Sequence, residues 1–554
     1  MREFTVAALV EIADDDTLTD AVFRRATETP DRPLFGARVD GAWVPTTYGE
    51  FAERVRAVAG GLLAAGVEPG DRVAVLGPTS VDWAVADFAV LSVGAVTVPI
   101  YPTASAEQVR HVLRDSGPVG VFVAEGSRAL LLSVAADGKN IWTLGEPLPG
   151  TAATELLDRR RAAVRADDLA TIVYTSGTTG VPKGCLLTHR NILHAAVNVV
   201  ELLPELFLAE DAATLLFLPL AHVYGRVVLF GCAWAGTRTG LVGDAADLIA
   251  ELPRFQPTFL VGVPYVLEKV RKAVRARAGA AFDDAEAAAI AHGAAARHGE
   301  HRAELPGDPV LEGLRAMLGG RLANMICGGA SLDESTLDFF TGVGLRVLGA
   351  YGLTETTSTV TMSATGTNRL GTVGRPIPGT AVAVANDGEI LVRGPHVSPG
   401  YWPDPAGVPE WVRTGDLGEL DDDGYLRITG RRKEIIVTSG GKNVAPAPLE
   451  DRLRLHPLVS NAMVVGEGRP YVTALITVDL GAAAKWSGEV PAGLQGAVDA
   501  ANELVSRAES IRRFHVVTGD FTVDRGHLTP SLRLRRAAIA ADFAPEIEAM
   551  YPRS

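Results

Sequence analysis

Ten consecutive residues, Thr175 to Gly184, gather the groups that phosphate chemistry needs. Three glycines, four hydroxyl side chains and Lys183 follow the apolar run Ala170-Thr-Ile-Val-Tyr174. Glycines let the backbone bend until successive N–H groups converge on phosphate oxygens; hydroxyls add donors and the ammonium adds charge. The segment is not a Walker A loop, because Lys183 precedes Gly184 and Pro182 stands before the lysine. A flexible surface loop accounts for the glycines alone. The hydroxyl run and the lysine favour a bound phosphate.

The rest of the chain must build a scaffold for that loop. At 554 residues it is too long for one ordinary core, so two or more domains are expected. Hydrophobic residues at 47% and charged residues at 21% give a globular balance. A net charge of -14 argues against nucleic acid as the main partner, while leaving room for an anionic ligand held by local cations. Cys185, Cys232 and Cys327 lie far apart with no CxxC pair, so neither a zinc site nor a disulfide framework is indicated. Glu11 and Asp14-Asp15-Asp16 follow the first residues too closely for a signal peptide. No apolar run reaches the roughly 20 residues that span a bilayer. The expectation is a cytoplasmic protein, monomer or homodimer, with peripheral membrane contact left open.

The first third alternates helical and strand patterns. Phe51, Val55, Val58, Leu62 and Leu63 recur at helical spacing between Tyr48 and Ala65. Arg72 to Gly77 reads as a short buried strand, Ser80 to Val93 as a helix and Val96 to Tyr101 as a second strand. That succession predicts an α/β architecture with a parallel sheet. Residues 273–315, rich in Ala, Arg, Glu and Asp, read as a helical insertion on the surface, with disorder as the alternative. After Ala381, short strands alternate with tight turns such as Asn386-Asp-Gly388. The main boundary is expected just beyond Gly430, giving an N-terminal domain of 1–430 and a C-terminal domain of 431–554.

The phrase from Tyr174 to Gly184 closely resembles the phosphate loop of the adenylate-forming superfamily: acyl-CoA synthetases, nonribosomal peptide adenylation domains and luciferases. The family's other phrases follow in order. Phe217-Leu-Pro-Leu-Ala-His222 resembles the acyl-pocket segment and Cys327-Gly-Gly-Ala-Ser-Leu332 the adenine-flanking loop. Gly349-Ala-Tyr-Gly-Leu-Thr-Glu355 is similar to the adenine and magnesium motif, Arg413-Thr-Gly-Asp416 to the ribose motif, and Gly430-Arg-Arg-Lys433 to the hinge. The implied fold is a large N-terminal domain of parallel-type sheets and helices with a small β-rich subdomain, followed by a small mobile α+β domain.

The resemblance implies ATP, Mg2+ and CoA as ligands. Thr175, Ser176, Gly177, Thr178, Thr179, Gly180 and Lys183 would hold the phosphates, with Thr175 and Glu355 facing magnesium. Gly329, Ala330, Ser331, Ala350, Tyr351, Gly352 and Thr354 would surround adenine, and Asp416 with Arg431 the ribose. His222 and Gly328 would touch the acid. Each has a plainer alternative: Glu355 a helix-start carboxylate, Asp416 a turn residue, His222 a satisfied core histidine. Asp14 to Asp16 and Asp421 to Asp423 read as a solvated run and a hairpin turn.

Tyr101-Pro-Thr-Ala-Ser-Ala-Glu-Gln108, Pro257-Thr-Phe-Leu-Val-Gly-Val-Pro264 and Ser439-Gly-Gly-Lys-Asn-Val-Ala-Pro446 look like the long-chain fatty acyl-CoA synthetases, although Tyr265 stands where that group usually has arginine. The resemblance then implies two steps. A carboxylate attacks the ATP α-phosphate to give acyl-adenylate and pyrophosphate; the C-terminal domain rotates about Lys433, and the CoA thiol attacks the acyl carbon. Gly440, Gly441 and Lys442 would lie by the CoA channel in that second pose. Lys183, Glu355, Arg533 and Lys433 are the implied catalytic group. Where relatives carry lysine in Leu-Thr-Pro-Thr-Leu-Lys, this chain has Leu528-Thr-Pro-Ser-Leu-Arg533, and Lys485 is its last lysine. A planar guanidinium is no compact point charge. The alternatives are an adenylate-forming enzyme with another acid (aryl acid or nitrite) or acceptor (amine or carrier protein), and a non-catalytic binding paralogue.

Overall fold

The computed structural model describes residues 2–134, 140–150, 154–175, 182–279, 281–297, 307–329, 334–369, 371–486, 488–523, 525–529 and 533–551, and strand counts below refer to these. The expected strands Arg72 to Gly77, Val96 to Tyr101 and Ala170 to Tyr174 lie in a six-stranded sheet. Its order is Asn140–Thr143, Gly120–Val123, Arg72–Leu76, Val96–Ile100, Leu169–Thr175 and Lys183–Thr188. The first five run parallel and the last returns antiparallel. Alternation along Arg72–Leu76 explains why both faces are covered. Val73 and Val75 join one core with Phe51, Val55 and Trp83, whereas Ala74 and Leu76 join another with Val109 and Leu113. The helix Tyr48–Ala64 begins at a reciprocal cap, in which Thr47 Oγ1 accepts from Glu50 N and Glu50 Oε2 accepts from Thr47 N.

Two further sheets complete the N-terminal body. Phe259–Gly262, Asn324–Cys327 and Arg346–Tyr351 are parallel and continue into antiparallel Thr361–Met362 and Arg375–Pro376. Ala213–Leu216, Arg238–Leu241, Pro33–Val39 and Ala42–Thr47 form a mixed sheet. Beside the six-stranded sheet a buried ion pair fixes the helix Val223–Ala235. Arg226 donates to both oxygens of Asp87 at 2.6–3.1 Å, and Thr97 Oγ1 donates to Asp87 Oδ1 at 2.7 Å. Both charged side chains are at most 1% exposed, so each requires the other.

The segment expected as a surface insertion is packed into the main core. Residues 273–315 contain the end of the helix Pro264–Ala278, the helix Ala281–Arg297 and most of Pro309–Met317. Phe282, Ala285 and Ala289 are at most 1% exposed. A Cβ at Gly293 would lie 1.9 Å from Asp338 O, and one at Gly342 1.9 Å from Ala289 O. The helices Ala281–Arg297 and Glu334–Gly342 therefore meet backbone to backbone, which is why an Ala- and Gly-rich sequence serves there.

Beyond Arg375, Arg2–Thr5, Ala381–Val384, Glu389–Arg393, Val412–Leu420 and Leu426–Arg431 form an antiparallel sheet, with Gly388 at φ +80° in the expected turn. From Ile436 onward a separate core forms on Val459–Val465, Val472–Val478 and Ile511–Val517, covered by the helices Pro446–Arg454 and Val490–Asn502. No described helix is long and apolar enough to cross a membrane.

Histidines are buried where the β-rich sheet meets the main body. His189, His194 and His396 are at most 1% exposed, and the last two stack at 5.8 Å. Burial pushes His189 and His396 down to about 3 and lowers His194. In the unfolded chain they titrate near 6.5. Below that value the unfolded state binds more protons, so stability is lost as pH falls from about 6.5 towards about 3. Urea denaturation at about pH 7 and about pH 5 should show lower stability at the acid value, by up to about 1.4 kcal/mol per pH unit per histidine. His396→Leu should flatten the difference.

Candidate active site

The strand Leu169–Thr175 and its partner Lys183–Thr188 clamp both ends of the expected phosphate loop. Thr175 pairs with Lys183 and Tyr174 with Gly184. A Cβ at Gly184 would sit 2.5 Å from Ile172 Cγ2, so the hairpin closes only around glycine. Tyr174 Oη donates to Asp115 Oδ2 at 2.5 Å, and a His111 ring nitrogen lies 2.8 Å from Pro182 O. The loop residues Ser176, Gly177, Thr178, Thr179 and Gly180 lie outside the described residues, as do Ala330 and Ser331.

Thr175 and Lys183 open into a cavity of about 940 Å³ whose lining includes His222, Gly328, Gly329, Ala350, Tyr351, Gly352, Thr354, Glu355, Arg431, Lys433 and Arg533. Glu355 enters because the chain after the strand Arg346–Tyr351 doubles back sharply. Thr357 and Ser358 have φ of 49° and 80°, and a Cβ at Gly352 would lie 1.5 Å from Ser358 O. Tyr401 Oη donates to Glu355 Oε1 at 2.6 Å, and Lys183 Nζ lies 5.7 Å from the Tyr401 ring centre. Burial and the Glu355 charge raise the Tyr401 phenol, which stays a hydrogen-bond donor.

Asp416, 4% exposed, accepts from Tyr351 Oη at 2.8 Å and from Arg431 Nε at 2.6 Å. The register Asp416↔Arg431 between neighbouring strands creates this pair. Burial and Asp416 together hold the Tyr351 phenol protonated.

Arg533 reaches the cavity from the C-terminal unit. Thr529 N donates to Arg533 O at 2.8 Å and Arg533 N donates to Thr529 Oγ1 at 3.0 Å. Arg533 Nη2 donates to Gly329 O at 2.9 Å on the opposite wall. Water reaches the guanidinium along the cavity, yet enclosure by protein, with Arg431 nearby, lowers its pKa from the ordinary value.

His222 caps the helix Val223–Ala235: its Nδ1 accepts from Tyr224 N at 3.1 Å. Burial and then Arg533 push the imidazole down to about 4. It is neutral at physiological pH, and with Nδ1 accepting, the proton sits on Nε2. Its ring lies 6.4 Å from that of Tyr101.

Gly440, Gly441 and Lys442 are not brought to this cavity. They form the turn between Ile436–Val437 and Asn443–Val444, where Lys442 pairs with Glu509 at 3.4 Å. Sequence reasoning missed Tyr401 and gave Tyr101 no role, although Tyr101 opens one of the quoted phrases. For Tyr401 the available signal was Gly400 before an aromatic pair, Tyr401-Trp402.

The cavity thus combines cations from both units with the Glu355 carboxylate and the paired strand residues Thr175 and Lys183. Hard carboxylate and hydroxyl oxygens at Glu355 and Thr175 suit a hard divalent cation such as Mg2+. Residues 22–402 match the AMP-binding enzyme family, and residues 433–554 match the AMP-binding enzyme C-terminal domain. The chain belongs to the AMP-binding enzyme family. It is 40% identical to the long-chain-fatty-acid–CoA ligase FadD15 of Mycobacterium tuberculosis, with all of both chains covered. It is 28% identical to the long-chain-fatty-acid–CoA ligase heimdall of Drosophila melanogaster, covering 95% of this chain and 92% of the other. Among solved structures, the anthranilate CoA ligase AuaEII in complex with anthranoyl-AMP aligns with a TM-score of 0.75 at 19% identity, covering 96% of this chain and 98% of that one. O-succinylbenzoate CoA synthetase of Bacillus subtilis, in complex with ATP and magnesium ion, aligns at 0.69 and 23%, covering 94% and 98%. At those identities the likeness is one of fold.

For this family member, Asp416→Ala removes the acceptor shared by Arg431 and Tyr351. Calorimetric titration should show ATP binding weakened about tenfold or more, the scale of one charged hydrogen bond. Unchanged affinity would detach Asp416 from the nucleotide.

Proposed function

We propose that the chain activates a medium- to long-chain fatty acid with ATP and transfers it to CoA. The observation that carries this reading is the convergence, in one cavity, of Glu355 and Lys183 with Arg533 from a separately folded unit, where the lining residue Arg431 is paired to the buried Asp416. The acid class follows from the full-length relatives.

The chemistry is charge management. An anionic carboxylate must approach an anionic triphosphate, so cations belong where negative charge concentrates. Lys183 at the loop base would meet the outer phosphates, and Thr175 and Glu355 would hold Mg2+, which shields the phosphate oxygens when bound. Asp416 would accept from the ribose hydroxyls, with Tyr351 beside the adenine. Arg533 is assigned to the carboxylate and α-phosphate, next to neutral His222 at the acid. The carboxylate oxygen forms a bond to the α-phosphorus as the bond to the pyrophosphate oxygen breaks. In the second step the CoA sulfur bonds to the acyl carbon and AMP leaves. Gly440, Gly441 and Lys442 are assigned to that second step, in a pose reached by rotation at Lys433.

The same reading takes the domain boundary to lie just after Gly430, the protein to be cytoplasmic and the working form to be a monomer or homodimer. Pyrophosphate release over a panel of fatty, aryl and inorganic acids, with and without CoA, tests the function. Sustained release with fatty acids and CoA is expected. Turnover that needs no CoA, or needs an aryl or inorganic acid, would replace this reading, and no release with any acid would end it.

A further inference from the structure

Arg533 can act on the far wall of the cavity only while the C-terminal unit is seated against the N-terminal body. The chain itself ties the two units at Arg431 to Lys433, and the Arg533–Gly329 hydrogen bond adds a second tie. Two ties leave rotation about the line joining them. A third contact away from that line is needed to fix the pose.

The helix Pro264–Ala278 supplies one. Val266, Leu267, Val270 and Val274 are buried in the main core, which turns Tyr265, Glu268, Lys272 and Arg275, spaced three, four and three residues apart, to the other side. Lys272 Nζ donates to Val459 O at 2.8 Å, at the first residue of the C-terminal strand Val459–Val465. Burial lowers the pKa of the ammonium; against it, Glu268 on its own helix and Asp479 and Asp520 of the C-terminal unit attract the charge, while Arg454 opposes it. Asp520 is itself held in place by Ser460 Oγ, Asn461 Nδ2 at 2.9 Å, Thr477 Oγ1 at 2.6 Å and Phe521 N at 2.8 Å. The receiving surface is therefore preformed, and the lysine enters a fixed acceptor with complementary charge around it.

We propose that Lys272 is a positioning residue whose bond to Val459 O seats the C-terminal unit so that Arg533 meets Gly329. This rests on the proposed two-step function: the contact serves the first step, and the second needs the unit released. The variant Lys272→Met keeps the aliphatic stem and removes the charge. Single-turnover formation of acyl-adenylate should fall about tenfold, the effect of losing one charge-assisted hydrogen bond. Thioester formation from preformed acyl-adenylate and CoA should change by less than about twofold, because an interaction confined to one step moves only that step. In an Arg533→Met background, Lys272→Met should add no further loss to adenylation. Equal losses in both steps, no loss in the first, or full additivity with Arg533→Met would overturn the proposal.

A readout without turnover separates this failure from failure of the proposed function. Spin labels at Leu132→Cys and Leu480→Cys, both exposed and on different units, report the pose directly, since Cys185, Cys232 and Cys327 are buried. A narrow distance distribution that broadens with Lys272→Met supports the seat, even if no acid is activated. A distribution unchanged by the substitution overturns it.

Discussion

The bond from Arg533 to Gly329 O joins two bodies that are otherwise built separately. The N-terminal sheets bury their own apolar residues, and the C-terminal strands bury theirs from Ile436 onward. Nothing in either core requires the other. What couples them is charge chemistry, at the cavity between them and where Lys272 meets Val459. In the proposed reaction the acid and the triphosphate repel, and a cation must arrive from a part of the chain that can also withdraw. A guanidinium suits this differently from an ammonium. Its planar fork can donate to Gly329 O through Nη2 and still present other N–H groups to an anion.

The other side of the cavity is rigid by comparison. His222 sits at the start of the helix Val223–Ala235, and Arg226 one turn later is locked to Asp87 out of reach of water. A buried pair of this kind contributes little net stability, since desolvation offsets most of its Coulomb gain, but losing one partner is costly. Its consequence here is placement: the helix can neither rotate nor slide without uncovering a charge. Asp416 is held similarly by Arg431 and Tyr351. In the proposed two-step reaction, fixed groups on one wall and a cation carried by a separate unit on the other would let one face open between steps.

Much of this was legible in the sequence wherever local patterns decide the outcome. Strand, helix and strand from Arg72 to Tyr101 appear as read, because continuous apolar runs bounded by Gly and Pro have few other fates. The strand leading into the glycine-rich segment was legible for the same reason, but its return as a hairpin with Thr175 opposite Lys183 was not. The Ala-rich stretch is helical, as read, but one face of it is buried in the core. Its composition looks like a solvated surface, yet Gly293 and Gly342 allow a backbone-level helix crossing that periodicity does not reveal. Tyr401 escaped notice because its partner Glu355 lies 46 residues away. Gly440 to Lys442 illustrate another limit: a motif names a role, but the pose of the C-terminal unit decides whether its residues face the cavity.

The central claim is that Arg533 performs adenylation from across the cleft. Single-turnover formation of acyl-adenylate from ATP and a fatty acid, without CoA, compares the wild type with Arg533→Met and Arg533→Lys most directly. The account predicts a loss of about a hundredfold or more with methionine, the scale of removing a preorganised charge at the reacting oxygens, and a rate at or above wild type with lysine. A methionine variant that forms adenylate at the wild-type rate would contradict it.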